Sequence, residues 1–205
     1  MKKLVVAVLS LISFSAFAQQ PTFGDRFSLE AGYGYAMPMG TIENGEVSDY
    51  AGFTSLHIGA HYQIIDHLGA RLSYNFAEFQ HPDELSWGST YHRFTLAATY
   101  DVYGALTAQE SPYKQDRLFK GIIYAGAGIG ISEPDHDKSI QDRGLGIQLG
   151  VQPMYKITDQ LSVFADAGYV INTMKDFGFD GISTLDGGNT SYVSIVLGLN
   201  YRFGK

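Results

Sequence analysis

The chain has 205 residues, 45% hydrophobic and 17% charged, with no cysteine and a formal net charge of −7. Acids outnumber bases 21 to 14, so the basic surplus of a nucleic-acid binder is missing. The absence of cysteine excludes a disulfide framework, a thiolate metal site and a cysteine nucleophile, while 14 tyrosines and 13 phenylalanines exclude the aromatic-poor composition of a disordered chain.

The amino terminus reads as a targeting segment. Lys2 and Lys3 precede an apolar run from Leu4 to Phe14, followed by the small-x-small site Ala16-Phe17-Ala18. This is the pattern of a secretory signal peptide. The apolar run is too short to cross a bilayer about 30 Å thick as a helix. Cleavage is expected after Ala18, so residues 1–18 are the signal and 19–205 the functional domain. Without Lys2 and Lys3 the remaining 12 bases face 21 acids, a charge of −9.

Beyond residue 18 the apolar residues alternate with period two, and polar segments rich in Gly, Asp, Asn and Pro interrupt them. Eight strands are predicted: Arg26–Met37, Gly52–Gln63, Leu68–Phe76, Tyr91–Tyr103, Leu118–Ile131, Gly144–Tyr155, Leu161–Ile171 and Ser191–Phe203. Each has at least nine residues, whereas strands of water-soluble proteins usually have about five or six. A tilted strand crossing a bilayer needs about 9–11. In the last strand Val193, Ile195, Leu197, Leu199, Tyr201 and Phe203 share one face, opposite Ser194, Val196, Gly198, Asn200 and Arg202. The polar faces are small and glycine-rich, which suits the narrow lumen of a small barrel.

The connections alternate too. Segments 38–51, 77–90, 132–143 and 172–190 are long and fall on one side; 64–67 and 156–160 are tight and fall on the other. Long external loops and short periplasmic turns are the pattern of a transmembrane barrel. Segment 104–117 breaks the pattern, a long connection where a tight turn is expected. Two turns repeat Tyr-x-Ile-x-Asp-x-Leu, from Tyr62 to Leu68 and from Tyr155 to Leu161. In each, the Tyr is expected at the bilayer interface, and Asp66 or Asp159 to set the turn. Pro153 is expected to remove a ladder donor and mark a bulge in the sixth strand.

The chain closes with Gly198-Leu-Asn-Tyr201-Arg-Phe203-Gly-Lys. A glycine and two alternating aromatics ending an amphipathic strand are similar to the assembly signal of bacterial outer-membrane barrels. With the repeated turns, Ala31-Gly-Tyr-Gly-Tyr35 and Ala125-Gly-Ala-Gly-Ile129, residues 26–203 resemble the small OmpA-like, porin-like family of eight-stranded barrels. The sequence departs from the signal in placing the terminal aromatic third from the end and Val196 where a polar residue is preferred. No carboxy-terminal peptidoglycan-binding domain is read, so cell-wall tethering is not expected. The resemblance implies an all-β, up-and-down, eight-stranded antiparallel barrel, monomeric in the outer membrane of a Gram-negative bacterium. Its implied partners are outer-membrane lipids, lipopolysaccharide and the barrel assembly machinery through Gly198, Tyr201 and Phe203. The implied role is structural support of the envelope, with narrow-pore solute passage as an accompaniment. A surface adhesin is the alternative.

Candidate site residues follow from the alternation. Glu30, Arg71, Asp101, Lys120, Asp166 and Arg202 all face inward in the periplasmic half, as a charge network that either fills the lumen or gates it. His57 and His61 share the inner face. Their four-residue separation spans about 13 Å, too far for one zinc. Asp135-His136-Asp137 reads as solvated loop charge. A lipid A-modifying enzyme would need Ser55 and His57 within reach of each other and of an acid, and both face the lumen rather than lipid. No catalytic, metal or cofactor site is assigned. Tyr50, Phe79, Trp87, Phe177 and Phe179 fall in the outer loops as candidates for recognition.

Overall fold

The computed structural model describes residues 23–39, 46–65, 67–84, 86–107 and 118–204. The predicted signal peptide, Asp66 and residues 108–117 lie outside them.

A four-residue turn, α1 (Phe23–Arg26), leads into β1 (Phe27–Met39) and β2 (Gly52–Ile65), joined through a short 3-10 turn at Val47–Tyr50. There follow β3 (Leu68–Gln80), β4 (Gly88–Asp101), a five-residue helix α2 (Val102–Leu106), β5 (Phe119–Pro134), β6 (Asp142–Lys156), β7 (Leu161–Phe177) and β8 (Thr184–Arg202). Each strand pairs antiparallel with its sequence neighbour, and β1 pairs with β8, so the sheet is a closed barrel. The start of β1, the end of β8 and the tight turns after β2 and β6 share one rim, the one expected to face the periplasm.

All eight strands appear in the predicted order, but several run further on the outer side. β3 continues to Gln80, β7 to Phe177 and β8 starts at Thr184. On β3 the extension still alternates, with Ala77 and Phe79 buried, whereas the start of β8 from Thr184 to Asn189 buries neither face and carries no alternation. The β7–β8 ladder is irregular there, with register shifts around Lys175 and a left-handed Met174 at φ 61°. At the other end, Val102 and Tyr103 belong to a helical turn rather than to the predicted fourth strand.

Alternation sorts the side chains between two environments. Leu72, Phe94, Leu96, Ile129, Leu149, Ile195, Leu197 and Leu199 point outward and stay exposed to the surroundings. Ser73, Thr95, Gln148, Asp166 and Ser194 point inward and are buried. Leu197, 66% exposed, sits mid-strand between Tyr33 and Ala165. Leu197→Arg is expected to destabilise the barrel by about 2–4 kcal/mol in urea unfolding from vesicles. An unchanged midpoint would place this face outside the hydrocarbon.

Inside, glycines let the wall approach itself. A Cβ at Gly128 would collide with the carbonyl oxygen of Phe94 on the adjacent strand, so any larger residue must displace backbone. Pro153 does not produce the expected bulge. The β6–β7 register is the same on either side of it, from Val151↔Ala167 to Met154↔Phe164. In the second repeated turn, Asp159 pairs with Lys156 Nζ at 2.9 Å, and Thr158 accepts the N–H of Leu161 at 3.0 Å. Thr158 rather than Asp159 therefore holds the turn.

Candidate functional site in the barrel lumen

The lumen holds two polar tiers below an aromatic cap. At the centre of the upper tier, Arg71 of β3 is 1% exposed. Its Nη1 lies 3.1 Å from Asp166 Oδ2 of β7 and 3.7 Å from Glu30 Oε2 of β1. The guanidinium carbon stacks 3.8 Å above the ring centroid of Tyr124 on β5. Tyr124 in turn donates its hydroxyl to Asp166 Oδ1 at 2.7 Å and accepts from Gln148 Nε2 at 3.2 Å. Glu30 is held by Gln152 Nε2 and Asn200 Nδ2, each at 3.2 Å, and by His57 Nε2 at 3.3 Å. The other ring nitrogen of His57 meets Asn75 Oδ1 at 2.8 Å, so neither serves Ser55. These bonds tie seven strands across the lumen, and His61 adds β4 through Thr99 Oγ1 at 2.8 Å.

The six predicted charges do not form one layer. Glu30, Arg71 and Asp166 meet, while Asp101, Lys120 and Arg202 stand nearer the periplasmic rim at the strand ends. There they line a cavity of about 30 Å³ with Glu30 and His61. Strand tilt and stagger explain the difference, because equal counts from a turn are not equal heights in a sheared barrel. Asp101 also spends one oxygen on the N–H of Gly104 at 3.0 Å, capping α2.

A third charged group was missed by sequence reading. Lys175 Nζ lies 2.6 Å from Asp142 Oδ2 and donates to Ser132 Oγ at 2.5 Å, with the Tyr91 ring 5.0 Å away. Asp142 also accepts the N–H groups of Asp176 and Phe177, at 3.0 and 3.2 Å. Both partners fall on strand extensions that carry no alternation signal. Arg93, whose Nη1 donates to the Tyr192 hydroxyl, was accessible to the same alternation that gave Asp101.

The outer loop aromatics require a correction. Tyr50, Phe79 and Phe179 are buried with Tyr91 and Tyr192 in a cluster that caps the lumen, and Trp87 packs partly buried against it. Phe179 lies 4.7 Å from Phe79 and 5.4 Å from Tyr91 between ring centroids. Phe177 is half-buried, with its ring edge-on to His136 at 6.5 Å. The barrel mouth is wide enough to admit rings, and burying them removes more apolar area than display on a loop tip allows. The 178–183 loop folds inward over the mouth. Asp180 accepts the N–H groups of Ile182 and Ser183, and Gly181 takes a left-handed φ of 72°. The loop is pinned by Ser89 Oγ on the Phe179 carbonyl at 2.9 Å and by Gly88 N–H on the Asp180 carbonyl at 2.8 Å. Burial pushes the Tyr50 phenol up to about 12, helped by the Asp180 and Asp49 carboxylates. Near the same point, burial also raises the Asp135 carboxyl above its ordinary value.

At the carboxy end, a Cβ on Gly198 would strike the Ala31 carbonyl and the Phe164 ring. Tyr201 and Phe203 are exposed on the outer face, their rings edge-on at 5.2 Å.

The outer membrane protein beta-barrel domain family model matches residues 4–203. The chain belongs to that family. This outer-membrane barrel is also similar in structure to Neisserial surface protein A, at TM-score 0.56 and 19% identity, over 90% of this chain and all of that one. It is similar at TM-score 0.47 and 17% identity to Ail, the attachment invasion locus protein of Yersinia pestis, over 87% and 98% of the two chains. The amino-terminal barrel of Pseudomonas aeruginosa OprF matches at TM-score 0.42 and 15% identity, over 89% and 100%. No curated protein matches it in sequence.

Proposed function

We propose that this outer-membrane barrel is a sealed structural cylinder that supports envelope integrity. The observation that carries the reading is the blocked lumen. Phe179 and its neighbours cap the outer mouth, and the Arg71–Glu30–Asp166 tier closes the middle. The periplasmic cavity of about 30 Å³ has room for a few waters rather than a solute. Lipopolysaccharide is the proposed neighbour of the outer belt, and the assembly machinery the proposed reader of Gly198, Tyr201 and Phe203. Recognition through the loop aromatics is not part of the proposal, since three of the five are buried.

Planar-bilayer recording tests this directly. The purified barrel is expected to give no steady openings, and cells lacking it to take up more of an excluded dye. Steady, ion-selective openings from the unmodified protein would overturn the sealed reading. They would favour a gate if Arg71→Ala changed their size or frequency.

A further inference from the structure

The start of the connection after β4 lies on the outside of the barrel. At the end of β4 the buried Asp101 carboxylate accepts the N–H of Gly104 at 3.0 Å and that of Gly121 at 3.4 Å. This coils the chain into α2 and ties it to β5. By strand alternation Gly121 faces outward, between the exposed side chains of Phe119 and Ile123. A Cβ there would lie only 3.1 Å from Tyr103 Cβ. Tyr103 therefore occupies the outer wall where Gly121 has no side chain, with its ring edge-on to Phe119 at 5.0 Å. The helical turn is folded against the barrel's exterior rather than hung beneath the lumen.

What it presents there is apolar. Leu106 is 80% exposed and Leu118 58%, beside the half-exposed rings of Tyr103 and Phe119. In water such a surface is unfavourable, and small water-soluble turns seldom carry it. The patch is also continuous with the membrane belt. Phe119 pairs with Tyr155, and Ile123 with Tyr100, both exposed on the outer face at the periplasmic rim. Rings of tyrosine at strand ends mark the headgroup level of a bilayer.

We infer that α2, with Leu118 and Phe119, is an interfacial foot seated in the periplasmic leaflet, and that its occupant is phospholipid. Leu106 and Leu118 enter the acyl boundary while Thr107, whose hydroxyl donates to the Tyr103 carbonyl at 2.8 Å, closes the turn toward the headgroups.

The chain's single tryptophan, Trp87, makes the test clean. In a Trp87→Phe background, Leu106→Trp is reconstituted in phosphatidylcholine vesicles with acyl chains brominated near the headgroup or near the methyl end. Emission is expected to be blue-shifted, resistant to iodide, and quenched most by the headgroup-proximal bromines. The quenching should match that of Tyr155→Trp in the same background. Quenching by iodide without quenching by bromolipid would overturn the inference in favour of a hydrated turn. Protection from both quenchers would overturn it in favour of a second protein chain. Leu118→Trp is the companion variant should Leu106→Trp lose its folded, heat-modifiable gel band.

Discussion

Arg71→Ala is expected to destabilise the folded barrel by about 3–5 kcal/mol, measured as the urea midpoint of the unboiled gel band in vesicles. The side chain is fully enclosed, and its guanidinium is shared between Asp166 at 3.1 Å and Glu30 at 3.7 Å. Removing it leaves two carboxylates facing one another in a narrow, poorly hydrated space. The cost lies mostly in that uncompensated charge rather than in the lost contacts. A triple change, Arg71→Met with Glu30→Gln and Asp166→Asn, is therefore expected to recover most of the loss, because it removes the charges together. Arg71→Lys should fall between, since an ammonium keeps the positive charge but has no plane to stack on Tyr124. A single-variant loss below about 1 kcal/mol would show that the tier is solvated like a surface ion pair.

Phe179→Ala is expected to be comparably costly, about 3–5 kcal/mol, but in a different place. Phe179 fills the centre of the aromatic cap, touching Phe79, Tyr91 and Tyr192. Its loop is otherwise held by a few hydrogen bonds at Gly88 and Ser89. Losing the ring should release the loop before it unfolds the membrane-embedded strands. Hydrogen exchange reads this separation. The Gly88 amide, bonded to the Asp180 carbonyl, should lose protection by about a hundredfold or more, while amides of the mid-barrel ladder stay protected. Equal loss at both places would mean that cap and wall unfold as one unit. Unchanged exchange at Gly88 would mean that Asp180 and Ser183 hold the loop without the ring.

Much of the wall was legible in the sequence because a bilayer and a filled lumen impose different chemistry on successive residues. Leu197 and Asn200 could be sorted by parity alone, and the structure places them on opposite faces as expected. The outer extensions were not legible. From Thr184 to Asn189 neither face of β8 is buried, so period two disappears while the strand continues. Lys175 and Asp142 were lost with those extensions. Within the lumen, parity showed that Glu30, Arg71 and Asp166 face inward, but not that these three meet while Asp101 lies nearer the rim. That depends on shear, which sets relative height and leaves no trace in a single strand. The loop aromatics failed for another reason. A phenylalanine in a polar segment reads the same whether it is displayed or tucked inward, and only the width of the mouth decides.

The seam between β1 and β8 bears on how the cylinder is made. Twelve residue pairs, from Ser28↔Arg202 to Met39↔Ser191, join the first strand synthesised to the last. Until the final strand arrives, the free edge of β1 has no backbone partner, and hydrocarbon offers none. No partial cylinder is thus a comfortable resting state in the bilayer. In water those same edge groups can bond to solvent, so the penalty falls only on an open sheet already in the bilayer. Once the two strands pair, the edge ceases to exist, and with it the easiest route by which the finished sheet could be peeled apart.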